Sequence, residues 1–460
     1  MPSSEQPLIY YSSLELENVR CFGERQTLEL TDEKGRPAQW TLLLGDNGVG
    51  KTTLLQCLAW MRPVPRGNKR GKEEEPPKKI EPSLNGEPDD DVFNSLLRIG
   101  SNIESCLKAT LTPGQELNSE IKGRRQRIET GIWMRGANQR LQERKLTTNK
   151  FPRTIGDPLL FEPLMFWYAA NRYVGISNLD NDKLTDPLAS LFLNSTELSD
   201  AEERLLQLDY LAVKRKGHHK KRLEEVKQLL STVLPDISAK EAIEILGPRS
   251  GDPDEESGVR FHTPYGSVPL TGLSLGYQTT LAWTVDLAWR LYDCFPESSN
   301  PLAEPAIVLI DEIDLHLHPR WQRHIMADLT KNFPRIQFIA TAHSPLIVQA
   351  ATDANLAVLQ EQDGQVIIQN QPKFIESWRV DQILTSELYG VSARSPRIEA
   401  LTKERDTLLD KLKKSPSEKR RLKKIEEELR NLPNEQLEDE ETIDFIRQAA
   451  ALLKRQNIRQ

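Results

Sequence analysis

The sequence predicts an α/β fold, and three stretches predict it. Residues 42–60, LLLGDNGVGKTTLLQCLAW, read as a buried strand, a glycine-rich loop and a helix. Residues 306–312, AIVLIDE, form an unbroken apolar run ending in two carboxylates, the pattern of a parallel strand buried on both faces. Residues 337–343, QFIATAH, read as a further buried strand that ends in a histidine.

The first stretch carries the most chemistry. Its spacing, from Gly45 to Thr52, is G-x-x-x-x-G-K-[ST], the P-loop. Gly48 and Gly50 let the backbone curl around an anion with no Cβ in the way. The N–H groups of Asn47, Gly48, Val49, Gly50, Lys51, Thr52 and Thr53, with the positive end of the following helix, make a cradle for phosphate oxygens. Lys51 supplies a mobile cation for the β- and γ-phosphates, and Thr52 offers a hydroxyl to Mg2+. The candidate cofactors are therefore ATP and Mg2+.

A chain of 460 residues accommodates two or three domains. The net charge of −7 argues against a surface that coats nucleic acid as a whole, while local basic patches remain open. Cys21, Cys57, Cys106 and Cys294 lie far apart in no metal-like spacing and read as reduced thiols. The opening residues are polar, with no signal-peptide pattern, and no apolar run reaches membrane length. The expectation is a soluble, cytoplasmic protein with no membrane partner.

Taken in order, residues 11–22 carry the alternation of an edge strand, and a turn at residues 32–35 leads to the P-loop strand. Arg20 follows this strand. Residues 66–91 are charged, rich in Pro and Gly and almost free of apolar side chains, so a mobile insertion is expected there. Alternation returns between residues 105 and 147, predicting a small inserted β lobe. The aromatic strand 164–173 ends at Asn171 and Arg172, either of which could cap a strand or face a bound nucleotide. Residues 199–234 read as a helical hairpin, started by a Ser199/Glu202 capping box, with a basic tip at residues 214–222. That tip suits phosphate contacts or a solvated turn. A β-hairpin around Tyr265 follows. Leu273-Ser274-Leu275-Gly276-Tyr277-Gln278 then heads a second long helix, again aiming backbone donors and a helix dipole at an anion. Asp311 stands where a carboxylate holds Mg2+ through water, and Glu312 where one orients or deprotonates an attacking water.

The four motifs, in this order, resemble ABC-type ATPases. The resemblance implies that Ser274, Gly276 and Gln278 bind the γ-phosphate of ATP held by a second subunit, and that His343 contacts the same phosphate. It also implies that Arg20 reaches the phosphates, against the plainer reading of a surface arginine beside a turn. The strand-end role usually filled by glutamine falls to Asn171 or Arg172. Residues 311–322, DEIDLHLHPRWQ, and 341–345, TAHSP, resemble the free-standing OLD-like and RecF-like members. Residues 378–384 and 393–396 look like the PtuA-type ATPases of Septu and retron-linked antiphage defence systems, which work with an HNH endonuclease, PtuB. Two features depart from the pattern. His318 stands where many ABC ATPases carry a D-loop aspartate, and the polar loop 294–305 has no counterpart role.

The resulting domain plan is an ATPase head (1–65), a charged insertion (66–92), a β lobe returning to the head (93–195), a helical insertion (196–250), the second part of the head (251–375) and a helical extension (376–460). Glu361-Gln362-Asp363-Gly364 reads as a hairpin turn and not an acidic metal cluster, so the effector chemistry should come from another chain. In the extension, Ile398, Leu401, Leu408, Leu409 and Leu412 recur at helical spacing. Pro416 breaks the run, a Ser415/Glu418 capping box restarts it, and a third helix is expected at 445–453. Such helices suit docking of a subunit, or packing on the protein's own core. The expected partners are a second copy across sandwiched ATP and an HNH endonuclease subunit. DNA, clamped directly as by a RecF-like repair ATPase, is the alternative, as is an ATP-stabilised scaffold with little turnover. A transporter subunit fits the lobe and tail poorly.

Overall fold

Leu42, Leu43 and Leu44 are flanked by no polar alternation, so their strand can only sit where both faces are covered. In the computed structural model this P-loop strand, Trp40–Gly45, lies inside a six-stranded sheet. The structure describes residues 9–66, 69–70, 73–74, 79–82, 96–98, 104–113, 128–137, 140–147, 149–150, 163–170, 172–174, 196–198, 200–215, 218–234, 236–237, 239–246, 258–370, 379–385, 395–411 and 414–430.

The sheet order is Met165–Tyr168, Ala306–Ile310, Ile336–Thr341, Trp40–Gly45, Asn355–Gln362 and Gln365–Asn370. All neighbours are parallel except the last pair, a hairpin turned by Asp363 and Gly364, both at positive φ. The expected hairpin at 361–364 is therefore present. Parallel pairing brings the P-loop, Asp311, Thr341 and the turn after Tyr168 to one edge, the carboxyl ends of the strands, where open α/β sheets bind ligands.

A second, antiparallel sheet runs Arg140–Thr147, Ile128–Ala137, Glu104–Pro113, Ile9–Glu17 and Gln26–Glu29. Two expectations change here. The opening strand is not an edge, because Glu104–Pro113 pairs with its free side. The β lobe is not separate either. Its strands extend the opening sheet, and Leu107, Ala109, Ile132 and Met134 share one core with Leu14, Leu54 and Leu58. Sequence alternation reports a half-buried strand but not its neighbours. Gln337 locks the two sheets together: its amide oxygen accepts from Tyr11 N–H at 2.8 Å and its nitrogen donates to Tyr11 O at 2.9 Å.

In the charged insertion, the described parts are strands. Pro63–Arg66 pairs with Lys79–Pro82, and Lys69–Arg70 with Glu73–Glu74. Backbone pairing asks little of side-chain polarity, so composition alone misjudged these residues. The remainder of that segment lies outside the described residues.

The helical hairpin is Ala201–Arg215 and His218–Val233. Ser199 lies outside the described residues, and Asp200 caps the first helix, its Oδ1 accepting from Glu202 N–H at 2.9 Å. Glu202 instead accepts from Val259 N–H at 2.7 Å, tying the hairpin to a three-stranded sheet of Ile243–Leu246, Gly258–Thr263 and Gly266–Pro269. The polar loop after Cys294 now has a role. Its carbonyls at Ser299 and Pro296 accept from Lys221 at 2.7 Å and Arg222 at 3.3 Å, so part of the basic tip is spent inside the molecule.

The chain divides into two compact units, 1–383 and 384–460. The second contains Pro396–Asp410 and Pro416–Arg430, an antiparallel helix pair closed by Leu401, Leu408 and Ile425. The capping box forms as expected: Ser415 N–H donates to Glu418 at 2.8 Å, and Glu418 N–H to Ser415 Oγ at 3.3 Å. Leu412 and the expected third helix at 445–453 lie outside the described residues. Among the described residues, no helix is long and apolar enough to cross a membrane.

Candidate nucleotide site

The P-loop leaves the sheet at Gly45 and enters the helix Lys51–Trp60, with Gly50 as its left-handed N-cap at φ 92. Asp46, Asn47 and Gly48 are exposed, as is Thr52, while Val49 and Thr53 are buried beneath. A Cβ on Gly50 would stand 2.5 Å from Cys21 Sγ, so the loop is pressed onto the turn after the first strand. Glycine is required here by what lies behind the loop as well as by its curl. Arg20, from the same turn, has φ 48 and donates to Thr53 Oγ1 at 3.1 Å and Gln56 Oε1 at 2.7 Å. It braces the flank of the P-loop helix.

Lys51 is 6% exposed, and its ammonium donates to the carbonyls of Gly45 at 2.9 Å and Asp46 at 2.7 Å. Burial pulls its pKa below the ordinary lysine value, opposed by the carboxylates of Asp311, Glu312, Asp46 and Asp314. Thr52 Oγ1 donates to Asp311 Oδ2 at 2.9 Å, joining the two residues expected at the metal.

A residue not singled out in the sequence, Thr341, organises the rest. Its hydroxyl donates to Asp311 Oδ1 at 2.7 Å and accepts from Glu312 N–H at 2.7 Å. Asp311 is thus held from both oxygens, and Glu312 follows at φ 50, a conformation sustained only when the surroundings over-determine it. Asp314 was also missed. Its Oδ2 accepts from His343 N–H at 3.0 Å, drawing the histidine to the same edge. Arg172, one of two strand-end candidates, is buried against Asp311 and Glu312; Asn171 lies outside the described residues.

The HLHPRWQ stretch has a structural logic. His318 caps a short helix, its Nδ1 accepting from Arg320 N–H at 3.2 Å. Gln322 donates to Leu317 O at 3.0 Å and accepts from Ser344 Oγ at 2.6 Å, pinning this loop to the turn after His343. Trp321 packs against Tyr277 with the two rings tilted and their centroids 5.1 Å apart.

The signature helix is Leu275–Cys294, with exposed Ser274 as N-cap. Its members divide. Ser274 and Leu275 face solvent, the latter 57% exposed. Gly276 is buried, and a Cβ there would meet His316 O at 2.3 Å, so its glycine has an explanation within this chain. Gln278 donates to Leu273 O at 2.7 Å and holds the turn ahead of the helix. Ser274 and the helix N-terminus are thus the exposed part of the motif, while Gly276 and Gln278 also have partners within this chain. The helix also anchors the sheet edge: Tyr168 OH donates to Asp286 at 3.0 Å, and Arg290 to the same oxygen at 2.7 Å.

A parallel sheet, a P-loop at its carboxyl edge, a paired Thr–Asp beside it and a separate signature helix define the class: a P-loop ATPase head of the ABC type. Residues 41–349, more than half of the chain, match the family model described as "AAA domain, putative AbiEii toxin, Type IV TA system", and the chain belongs to that family. It is 25% identical over 429 residues to the Septu protein PtuA of Bacillus mycoides, covering 91% of this chain and 50% of that one. It is 24% identical to the retron Vc95 probable ATPase of Vibrio cholerae, covering 77% of this chain and 75% of the relative. The chain therefore spans about half the length of the first relative and three quarters of the second. Among solved structures it aligns with the SMC head domain from Thermotoga maritima at 14% identity and a TM-score of 0.40, over 79% of this chain and 99% of that one.

Proposed function

We propose that this chain is the ATPase subunit of an antiphage defence assembly, in which ATP held between two heads gates an associated nuclease of the HNH type. The observation that carries the ATPase reading is the 2.9 Å contact between Thr52 Oγ1 and Asp311 Oδ2 beside the open P-loop. These are hard oxygen donors suited to Mg2+. Bound Mg2+ would neutralise charge on the phosphates. Lys51 and the loop N–H groups would hold the phosphates, Glu312 would orient and deprotonate the water, and His343 would stand beside the transferred phosphoryl group. The exposed Ser274 and Leu275 are the surface we assign to a second head. The defence role and the nuclease partner rest on the likeness to Septu PtuA and retron ATPases.

The test is purification from the native operon with ATP present, followed by mass spectrometry of co-purifying chains and an ATP turnover assay. A stoichiometric HNH protein together with turnover supports the proposal. Turnover with no such partner removes the nuclease-gating half, and a DNA-bound single chain favours direct DNA clamping instead.

A further inference from the structure

The edge strand Met165–Tyr168 ends beside the strand Ala306–Ile310, and Tyr168 O accepts from Asp311 N–H at 2.8 Å. The chain then turns, and Arg172 comes back under the same strand end. Its Nη1 donates to Ala169 O at 2.9 Å and to Asp311 O at 2.7 Å, and its Nη2 to Glu312 O at 3.0 Å. The residue is 6% exposed. Glu312 is consequently gripped on both sides of its left-handed backbone: Thr341 takes its N–H, and Arg172 donates to its carbonyl.

We propose that Arg172 is a positioning residue for ATP hydrolysis, whose guanidinium fixes the Glu312 backbone and so aims the carboxylate at the attacking water. The proposal rests on the ATPase reading above. A planar fork serves several carbonyls at once, whereas an ammonium is a point donor on a flexible stem. Burial lowers the Arg172 pKa to about 10, with Asp311, Glu312 and Asp314 opposing, so the group stays charged at neutral pH. Arg172 also ties the turn after the edge strand to the catalytic carboxylate, so displacement of that turn would reach Glu312 directly. Its partners are backbone carbonyls, so substitution should disturb the aim of Glu312 while sparing the P-loop contacts to nucleotide.

The experiment uses the full chain as wild type, Arg172→Met, Arg172→Lys, Glu312→Gln and the Arg172→Met/Glu312→Gln pair. Turnover, ATP affinity and melting temperature are measured on each. Misplacement of a catalytic group by about 1 Å costs on the order of 10²-fold in rate. Arg172→Met should lower kcat by about that factor with Kd for ATP unchanged, and Arg172→Lys should recover part of the loss. In the Glu312→Gln background Arg172→Met should cost nothing further, because the two act as one unit. Wild-type kcat in Arg172→Met overturns the proposal, as does an equal loss in both backgrounds, or a joint loss of affinity, stability and rate that Arg172→Lys does not relieve. If Arg172→Met does not fold, Arg172→Lys decides: reduced kcat at unchanged Kd supports the role, and unchanged kcat overturns it. A wild-type protein without turnover overturns the ATPase reading itself, a result distinct from all of these.

Discussion

Replacing Gly50 by alanine tests how the P-loop is seated. Its φ of 92 lies in the left-handed region, which costs an L-residue roughly 1–2 kcal/mol. The new Cβ would also stand 2.5 Å from Cys21 Sγ and 3.2 Å from two Phe22 ring carbons. Phe22 is fully buried, so the ring has little freedom to retreat, and overpacking of this kind adds ~1–3 kcal/mol. The two contributions sum to about 2–5 kcal/mol. Gly48 supplies the control: its φ is 83, yet nothing lies within 4 Å of a Cβ there, so only the backbone contribution applies. Urea denaturation of the full chain, followed by tryptophan fluorescence, should therefore find Gly50→Ala less stable than Gly48→Ala by ~1–3 kcal/mol. Adding Cys21→Ala to Gly50→Ala should restore part of that difference. Equal stabilities for the two glycine variants, or no recovery on trimming Cys21, would refute the claim that packing behind the loop dictates the glycine.

Lys51→Ala removes the cation proposed to meet the phosphates and should weaken ATP affinity by at least about tenfold in a direct binding titration, with little change in urea stability. Thr341→Val deletes the hydroxyl shared by Asp311 and Glu312, and a steady-state assay should register a fall in kcat larger than any change in ATP affinity. Asp286→Asn leaves Arg290, whose side chain is 13% exposed, facing a neutral amide; breaking a buried pair costs about 3–5 kcal/mol, to be read from denaturant midpoints. Glu418 is held at about 2, first by its hydrogen bond from Lys411 and then by those from Ser415. Its folded pKa is depressed, so its contribution is present above the ordinary glutamate value and fades as pH falls through that range toward about 2. Hydrogen-exchange protection of the 416–430 helix should hold between pH 7 and pH 5 and decline at lower pH, and a Glu418→Gln variant should show a weaker dependence, the remainder coming from Glu404, whose carboxyl is held below its ordinary value by its hydrogen bonds from Arg421.

Much of the site was legible because its chemistry is local in sequence. The P-loop, the DE pair and the TAH stretch each sit at a strand end, and the apolar run before each announces a strand buried in a parallel sheet. The Ser415/Glu418 box was legible for the same reason, since both partners lie within one helical turn. The misses share one cause: each depends on a partner distant in the chain. Thr341 is an ordinary threonine until the sheet order sets it against Asp311, thirty residues earlier. The close approach that confines position 276 to glycine is equally invisible in the sequence, since His316 O stands where a Cβ would be. The opening strand read as an edge because alternation records burial on one face and says nothing of which strand pairs alongside.

Residue types and local spacing thus determined that this chain has a phosphate-binding loop, a carboxylate pair and a histidine, each delivered by the end of a strand. Only the tertiary structure decided their mutual geometry: that Thr52 meets Asp311, that Thr341 and Arg172 grip Glu312 from its two sides, and that Cys21 forbids a side chain at Gly50. The reason is physical. A motif encodes the backbone conformation of a few consecutive residues, whereas hydrogen bonds between strand ends exist only after parallel pairing has brought distant segments to one edge.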